Sequence, residues 1–212
     1  MCDSAALDAY FKPILELVFQ KLQTNTAESL KLKFVRLYHL VSARLEVGYG
    51  ADYFIKHTNS LQEGLFRQVY PSIVLVETDK LARPVDRKLA VISYTKTLCD
   101  SKAFAQEFQK GWANTCKKLL MLLANPPTVA AGLGDEIIAV ADVDDIGFGL
   151  TFTALNTCRP AARDDYPDVT NVVEWVKEYI KDANGRHDGA IFKFIEERLA
   201  DEEKQVLSQI LA

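Results

Sequence analysis

Residues 81–97 read Leu81-Ala-Arg-Pro-Val-Asp-Arg-Lys-Leu-Ala-Val-Ile-Ser-Tyr-Thr-Lys-Thr97, and this stretch decides the fold. Pro84 stands where a first helical turn has no use for its N–H and where its fixed φ is already helical. Asp86 falls in the same turn, where a carboxylate complements the positive end of the helix dipole, worth roughly 0.3 to 1 kcal/mol at an exposed site. The stretch follows directly on another apolar helical segment, so it reads as the second helix of a pair. Stacked helix pairs hold broad partner-binding faces and rarely assemble a catalytic pocket, so the function is expected in a surface.

The whole chain agrees with that beginning. Its 212 residues suit one compact domain or four to five helix pairs of about 40 to 47 residues each. Hydrophobic residues make up 49%, with 11 Phe, 8 Tyr and 2 Trp, enough to fill a sizeable core. The 10 Gly and 7 Pro lie mostly where helices would end, leaving little for turn-rich sheets. The expected fold class is all-α, an α-solenoid of irregular HEAT-type repeats.

Cys2, Cys99, Cys116 and Cys158 show no C-x-x-C spacing and read as reduced, half-buried thiols of an intracellular chain. The start, Met1-Cys-Asp-Ser4, lacks the basic and apolar regions of a secretory leader, and no apolar run approaches the ~18 residues of a membrane span. A soluble chain without a membrane partner is expected. Charge is divided: 17 Lys/Arg against 12 Asp/Glu up to Asn125 and 8 against 17 beyond it, together the chain's 25 and 29. That division suits a protein partner, whereas nucleic acid favours one dense basic stripe and is not expected as a ligand.

The helices follow one another along the chain. Ser4 is the expected cap of the first, with Leu7, Phe11, Ile14, Leu15, Val18, Phe19 and Leu22 at helical spacing and Pro13 as an irregularity. Thr24 or Thr26 is expected to cap the second, whose stripe is Leu30, Phe34, Leu37, Leu40, Val41 and Leu45. A shorter helix runs from Ala51 to Leu61, and another from Gly64 through Pro71 toward Thr78; residues 69–76 alone have strand composition but no alternating neighbour to pair with. After the Pro84 helix, a segment from Asp100 or Ser101 continues through Phe104, Phe108 and Trp112 to Leu123, with those three aromatics in the core. Pro126 and Pro127 close it, dividing the chain into helix pairs over 1–125, an acidic flexible loop over 126–147, and capping helix pairs over 148–212. Within the last part a short helix spans Gly149 to Asn156, Arg159 to Pro167 is a polar connector, and Val169 to Ala183 is a helix carrying Trp175 and Tyr179. Asn184-Gly185 signals its end, and Ile191 to Leu199 and Glu202 to Leu211 finish the chain.

Candidate chemistry is sparse. Ser93-Tyr-Thr-Lys96 fits the S-x-x-K spacing of serine acyl-transfer enzymes, but the companion S-D-N and K-T-G elements are absent. Asp142-Val-Asp-Asp-Ile-Gly147 has acids at the first and third positions of a calcium loop, yet Ile146 and Thr153 stand where the fifth and twelfth ligands belong. Gly132-Leu-Gly134 has no preceding strand, and no G-K-[ST] occurs. His39, His57 and His187 share no helical face with a second ligand, so no metal, cofactor or catalytic residue is expected. An enzyme on an all-helical fold would need a convergent polar cluster that the sequence does not offer.

One resemblance is specific. Ser60-Leu-Gln-Glu-Gly-Leu-Phe-Arg-Gln-Val-Tyr-Pro71 followed by Arg83-Pro-Val-Asp-Arg-Lys-Leu-Ala-Val-Ile92, then Phe108-Gln-Lys-Gly-Trp112, the acidic loop, Gly147-Phe-Gly-Leu-Thr-Phe-Thr-Ala-Leu155 and the helices from Ile191 to Leu211, resembles the C-terminal region of the CAS family of exportins. The match is of whole-segment pattern in the same order over most of the chain. It implies the C-terminal arch of a karyopherin-beta solenoid that carries importin-alpha out of the nucleus with Ran-GTP, shuttling between nucleus and cytoplasm. It also implies that members are far longer than this chain and grip Ran mainly through repeats lying elsewhere. A helical-repeat scaffold unrelated to nuclear transport is the alternative on the same fold.

The resemblance also gives roles to residues. Asp86 and Arg87 correspond to the ladder by which such repeats link neighbouring pairs. Lys88 and Lys96 are spaced to point away from Leu89 and Ile92, toward the concave side, where they are candidates for partner binding. Asp142, Asp144 and Asp145 are candidates to meet the basic amino-terminal segment that the resemblance attributes to importin-alpha, an attraction that speeds association more than it deepens affinity. The first helix, around Phe11, Ile14 and Phe19, is expected to leave an apolar face uncovered.

Overall fold

The computed structural model describes residues 4–24, 27–127 and 164–211, and among these every regular element is a helix. In order they are α1 (Ser4–Thr24), α2 (Glu28–Ala43), α3 (Ala51–Asn59), α4 (Leu65–Val69), α5 (Leu75–Glu77), α6 (Pro84–Asp100), α7 (Lys102–Gln106), α8 (Gln109–Ala124), α9 (Val172–Arg186), α10 (Ala190–Arg198) and α11 (Asp201–Leu211). The suspected strand is helical. Pro71 has no N–H for the carbonyl four residues back, and the chain passes from α4 to α5 through a π turn at Tyr70–Val74, with Ser72 Oγ donating to the Gln68 carbonyl.

α6 is the centre of the molecule. Arg83 is extended before Pro84, as the residue preceding proline must be, and helix begins at once. Every residue from Lys88 to Cys99 is buried, because α2, α8 and α9 all pack against the helix. A helix enclosed on all sides needs no single apolar stripe, which is why Ser93, Thr95 and Thr97 are tolerated inside it. Thr95 and Thr97 donate their hydroxyls to the carbonyls of Val91 and Ser93, at 2.9 and 2.7 Å.

On the first side, α1, α2 and α3 form an aromatic run. Phe11 and Phe54 meet at 5.9 Å, Phe54 and Tyr38 at 5.2 Å, Tyr38 and Tyr70 at 5.6 Å, and Tyr70 and Phe104 at 5.1 Å. Phe11 and Phe19 are buried, so the expected uncovered face of α1 is displaced: Tyr10 and Leu17, both 66% exposed, stand there with Ile14. The stripe of Phe11, Leu15 and Phe19 is the buried one, covered by α2 and α3, and the exposed apolar residues lie beside it. At the start of α2 the cap position falls to Ala27, which makes no side-chain cap bond, and Thr24 instead closes α1 on the Gln20 carbonyl at 3.1 Å.

α7 is held from both ends. Ser101 Oγ accepts from the Phe104 N–H at 3.2 Å, and Asp52 at the start of α3 accepts from the N–H groups of Lys102 and Ala103 at 2.9 and 3.3 Å. At the other end Arg198 of α10 donates to the carbonyls of Phe104 and Ala105 at 3.3 and 2.7 Å, with its guanidinium 3.8 Å above the Phe194 ring. Trp112 joins this corner, donating its indole N–H to the Leu98 carbonyl at 2.9 Å. On the far side Asn171 caps α9 through the Val173 and Glu174 N–H groups. The helix then runs through the expected stop at Asn184-Gly185 to Arg186. Left-handed backbone comes only at Asp188 and Gly189, and the Asn184 side chain accepts instead from the Phe192 N–H of α10 at 3.0 Å.

Candidate partner-binding site

The two lysines singled out in α6 are both there, and neither faces solvent. Lys88 and Lys96 are each 3% exposed, because Asp164 to Val169 and α9 lie over the side of α6 that spacing assigned to an open concave face. Lys88 Nζ donates to the Asp164 carboxylate and to the Tyr166 carbonyl, both at 2.7 Å. Lys96 Nζ donates to the Ala43 carbonyl at 2.7 Å and is bonded to Glu46, and it lies 4.9 Å from the centre of the Tyr166 ring. Tyr166 OH donates to the same Ala43 carbonyl at 2.6 Å, and Arg44 pairs with Asp165 at 2.9 Å. Burial first, then the neighbouring Glu46 carboxylate, pushes the Tyr166 hydroxyl well above the usual phenol range, so it stays protonated as a donor.

Asp86 and Arg87 point to opposite neighbours. Asp86 pairs with Arg36 of α2 at 2.8 Å, while Arg87 donates to the Asn125 carbonyl just beyond α8 at 3.2 Å. Asp142, Asp144 and Asp145 lie outside the described residues, as does the expected helix from Gly149 to Asn156.

The S-x-x-K pair does not meet. Ser93 is fully buried and its Oγ lies 3.1 Å from His39 Nδ1, while Lys96 is engaged as described. His39 Nε2 sits 2.9 Å from Thr78 Oγ1, which donates its one proton to the Val74 carbonyl at 2.6 Å and accepts from Tyr94 OH at 2.9 Å. Thr78 therefore accepts from His39 as well, which puts the imidazole proton on Nε2 and leaves Nδ1 to accept from Ser93. Burial pulls the His39 pKa down to about 3, so the ring is neutral at physiological pH. This is a closed structural network; a serine with no access to solvent has no substrate to attack.

A groove of about 440 Å³ opens between α4 and the α7–α8 corner, floored by Phe66, Tyr70, Phe104 and Phe108. Arg67 lies over the Phe108 ring at 5.0 Å, at the groove's edge. The sequence reading assigned Phe108 wholly to the core, and it is half-buried here. Among the described residues no group of three His, Cys, Asp or Glu side chains gathers as a metal would require, and no helix is long and apolar enough to cross a membrane. Cys99 and Cys116 are buried free thiols; burial raises both, Cys116 to about 12, which removes thiolate reactivity at neutral pH.

Residues 1–210 match the family described as CAS/CSE protein, C-terminus. The chain belongs to the CAS/CSE family. Among the relatives of this CAS/CSE chain are the importin alpha re-exporter of Saccharomyces cerevisiae, 24% identical over all of the chain and 22% of that protein, and the importin-alpha re-exporter of Schizosaccharomyces pombe, 25% identical over 95% of the chain and 21% of that protein. Exportin-2 of Oreochromis niloticus is 30% identical over 71% of the chain and 15% of its own length. The chain thus spans about a fifth of the curated relatives it matches over most of its length. Among solved structures, the exportin Cse1 in its cargo-free, cytoplasmic state superposes with a TM-score of 0.71 over all of the CAS/CSE chain and 21% of that structure, at 21% identity. The fold is accordingly the HEAT-repeat solenoid expected from the helix pairs.

Sequence reasoning missed His39, Thr78 and Tyr94 as a network and Arg44, Asp164 and Tyr166 as a contact. The signal for the second was present. Two acids and a tyrosine in the polar connector match, in charge, two lysines on an otherwise apolar helix, but only the fold brings them together.

Proposed function

We propose that this chain is the C-terminal part of a nuclear export receptor that returns importin-alpha to the cytoplasm together with Ran-GTP. The observation that carries the proposal is the match of residues 1–210 to the CAS/CSE C-terminus, joined by relatives named importin-alpha re-exporters. Its role is to bind, not to catalyse, and it shuttles between nucleus and cytoplasm with the receptor. Helix pairs up to residue 125 build the arch, the acidic stretch from 126 to 147 meets basic surface of the cargo through Asp142, Asp144 and Asp145, and the helices after 148 cap the stack. Asp86 and Arg87, reaching α2 and the end of α8, act as the ladder between neighbouring pairs. Ran is held mainly by repeats outside this chain. The two ligands favour one another through the curvature of the solenoid, and such coupling is reciprocal.

The test is a titration of the chain with importin-alpha, with and without Ran carrying a non-hydrolysable GTP analogue, at low and at moderate salt. Saturable binding that weakens as salt rises is expected, since the contacts proposed are between charged surfaces. A well-folded monomer that binds importin-alpha under none of these conditions overturns a cargo surface in this part of the receptor.

A further inference from the structure

Arg44, Lys88 and Lys96 hold three consecutive residues of the same chain in the manner of a bound peptide. Each of the three is read separately: Asp164 by Lys88 at 2.7 Å, Asp165 by Arg44 at 2.9 Å, and Tyr166 by its hydroxyl on the Ala43 carbonyl at 2.6 Å and its own carbonyl on Lys88 at 2.7 Å. The tripeptide is non-helical and carries its own turn, the Tyr166 N–H bonding the Asp164 carboxylate at 2.9 Å. On leaving, the tripeptide uncovers Lys88, both of whose partners it supplies, but the rest of the slot keeps its ties. The two helices that build it, α2 and α6, are joined elsewhere by the His39 network, and Lys96 keeps Glu46 and the Ala43 carbonyl as partners in the absence of the tripeptide.

We propose that this slot is a docking site for a short acidic, tyrosine-bearing segment of a partner protein, and that Asp164 to Tyr166 occupies it in cis as a competitor. Charge decides the partner's chemistry. Three cations, the Glu46 carboxylate paired with Lys96 and an accepting carbonyl line the slot, leaving a surplus of two positive charges that the occupant's two carboxylates match, with its phenol on the carbonyl. Both carboxylates retain contact with water, with Asp164 and Asp165 side chains 22% and 24% exposed, so a second peptide reaches the contact from solvent, and the segment leading into α9 must shift for it to reach Lys88. The site needs no importin-alpha, and its test is separate from the receptor reading.

The probe is a fluorescein-labelled peptide Asp-Asp-Tyr-Pro-Asp-Val, the sequence of residues 164–169. The Asp165→Asn/Tyr166→Ala variant of the whole chain weakens the cis contact while leaving Asp164 to neutralise Lys88. By fluorescence anisotropy the variant is expected to bind the probe at least about tenfold more tightly than the unaltered chain, because an occupied slot lowers apparent affinity by the fraction of molecules in which it is open. Adding Arg44→Gln to the variant should reverse the gain. If the folded variant gains nothing, or if a probe with Asn for both aspartates binds equally well, the tripeptide is only a structural tie and the proposal falls. Should the variant fail to fold, hydrogen exchange on the unaltered chain decides: excess probe must speed exchange at the Tyr166 amide, and an unchanged rate overturns the proposal.

Discussion

The two faces of α6 are built by opposite means. Toward the middle of α2 the helix meets a neutral network, in which Ser93, His39, Thr78 and Tyr94 are all essentially without exposure and satisfy one another, with the Asp86–Arg36 pair and the Lys96 contact to Ala43 at its two ends. Toward α9 and the tripeptide it meets charge: Lys88 to Asp164, and Asp100 to Tyr179 and Arg186, both at 2.8 Å. Hydrogen bonds in a dry seam gain from the low dielectric and tolerate no loss of a partner, whereas an ion pair with one partner reaching water, as Asp164 and Arg186 do, is open to screening by salt. The helix is therefore expected to be held more firmly to α2 than to α9, although α9 also buries Val176, Ile180 and Ala183. If the coupling through curvature proposed above holds, the weaker seam is where the stack would bend.

The largest break in this comparison comes from the neutral side. Tyr94→Ala removes a fully buried ring and the hydroxyl that donates to Thr78, leaving a cavity that the enclosed helix cannot collapse. A loss of about 3–5 kcal/mol in urea unfolding is expected, as for other buried aromatics cut to alanine. A change below about 1 kcal/mol would mean that the seam is not the firm one.

Acid gives the next largest effect, also confined to that side. His39 is held down to about 3 in the folded chain against 6.5 for a free imidazole, so between those values the unfolded chain takes up a proton that the folded chain refuses. Its contribution is whole above pH 6.5 and is lost as pH falls toward 3. Between pH 6.5 and 4.5 this amounts to about 2–3 kcal/mol. His39→Gln should be less stable at pH 7.5 yet lose less on acidification, which thermal melts across that range would report. Parallel pH curves for the two proteins would remove the neutral network from the account.

How far the sequence could carry this picture depends on whether the cause of a feature lay nearby in the chain. α6 was legible to its ends because Pro84 starts it and Ser101 stops it, both local devices. The break between α7 and α8 was not. Phe104, Phe108 and Trp112 keep an unbroken spacing of four, while at the break the carbonyls of Phe104 and Ala105 are taken by Arg198 from α10. The same limit governed the binding site. Spacing did not separate the lysines from that stripe, since Lys96 falls two turns after Leu89 and Lys88 one turn before Ile92, and what covers Lys88 is Asp164, 76 residues further on. The acids chosen in the loop, Asp142 to Asp145, were conspicuous by density, while Asp164 and Asp165 were passed over in a connector though they are the ones seen against lysine and arginine.

The smallest predicted effect sharpens the comparison from the charged side. Arg186 pairs with Asp100 of α6 and with Asp182 one turn back, both at 2.8 Å, and its guanidinium lies 5.6 Å from the Tyr179 ring. Asp100 is nearly buried, so losing its cation is not free; Tyr179 OH still donates to it at 2.8 Å, and His187 stands 3.6 Å away. Arg186 is itself 43% exposed, and water replaces it readily. Arg186→Ala is therefore expected to cost no more than about 1 kcal/mol at low salt and still less at high salt, where the pair is already screened. Urea titrations at two ionic strengths test this against Tyr94→Ala, whose cost should not move with salt. If Arg186→Ala proved as costly as Tyr94→Ala and as indifferent to salt, the two faces of α6 would be equally firm, and any bend in the solenoid would have to lie beyond it.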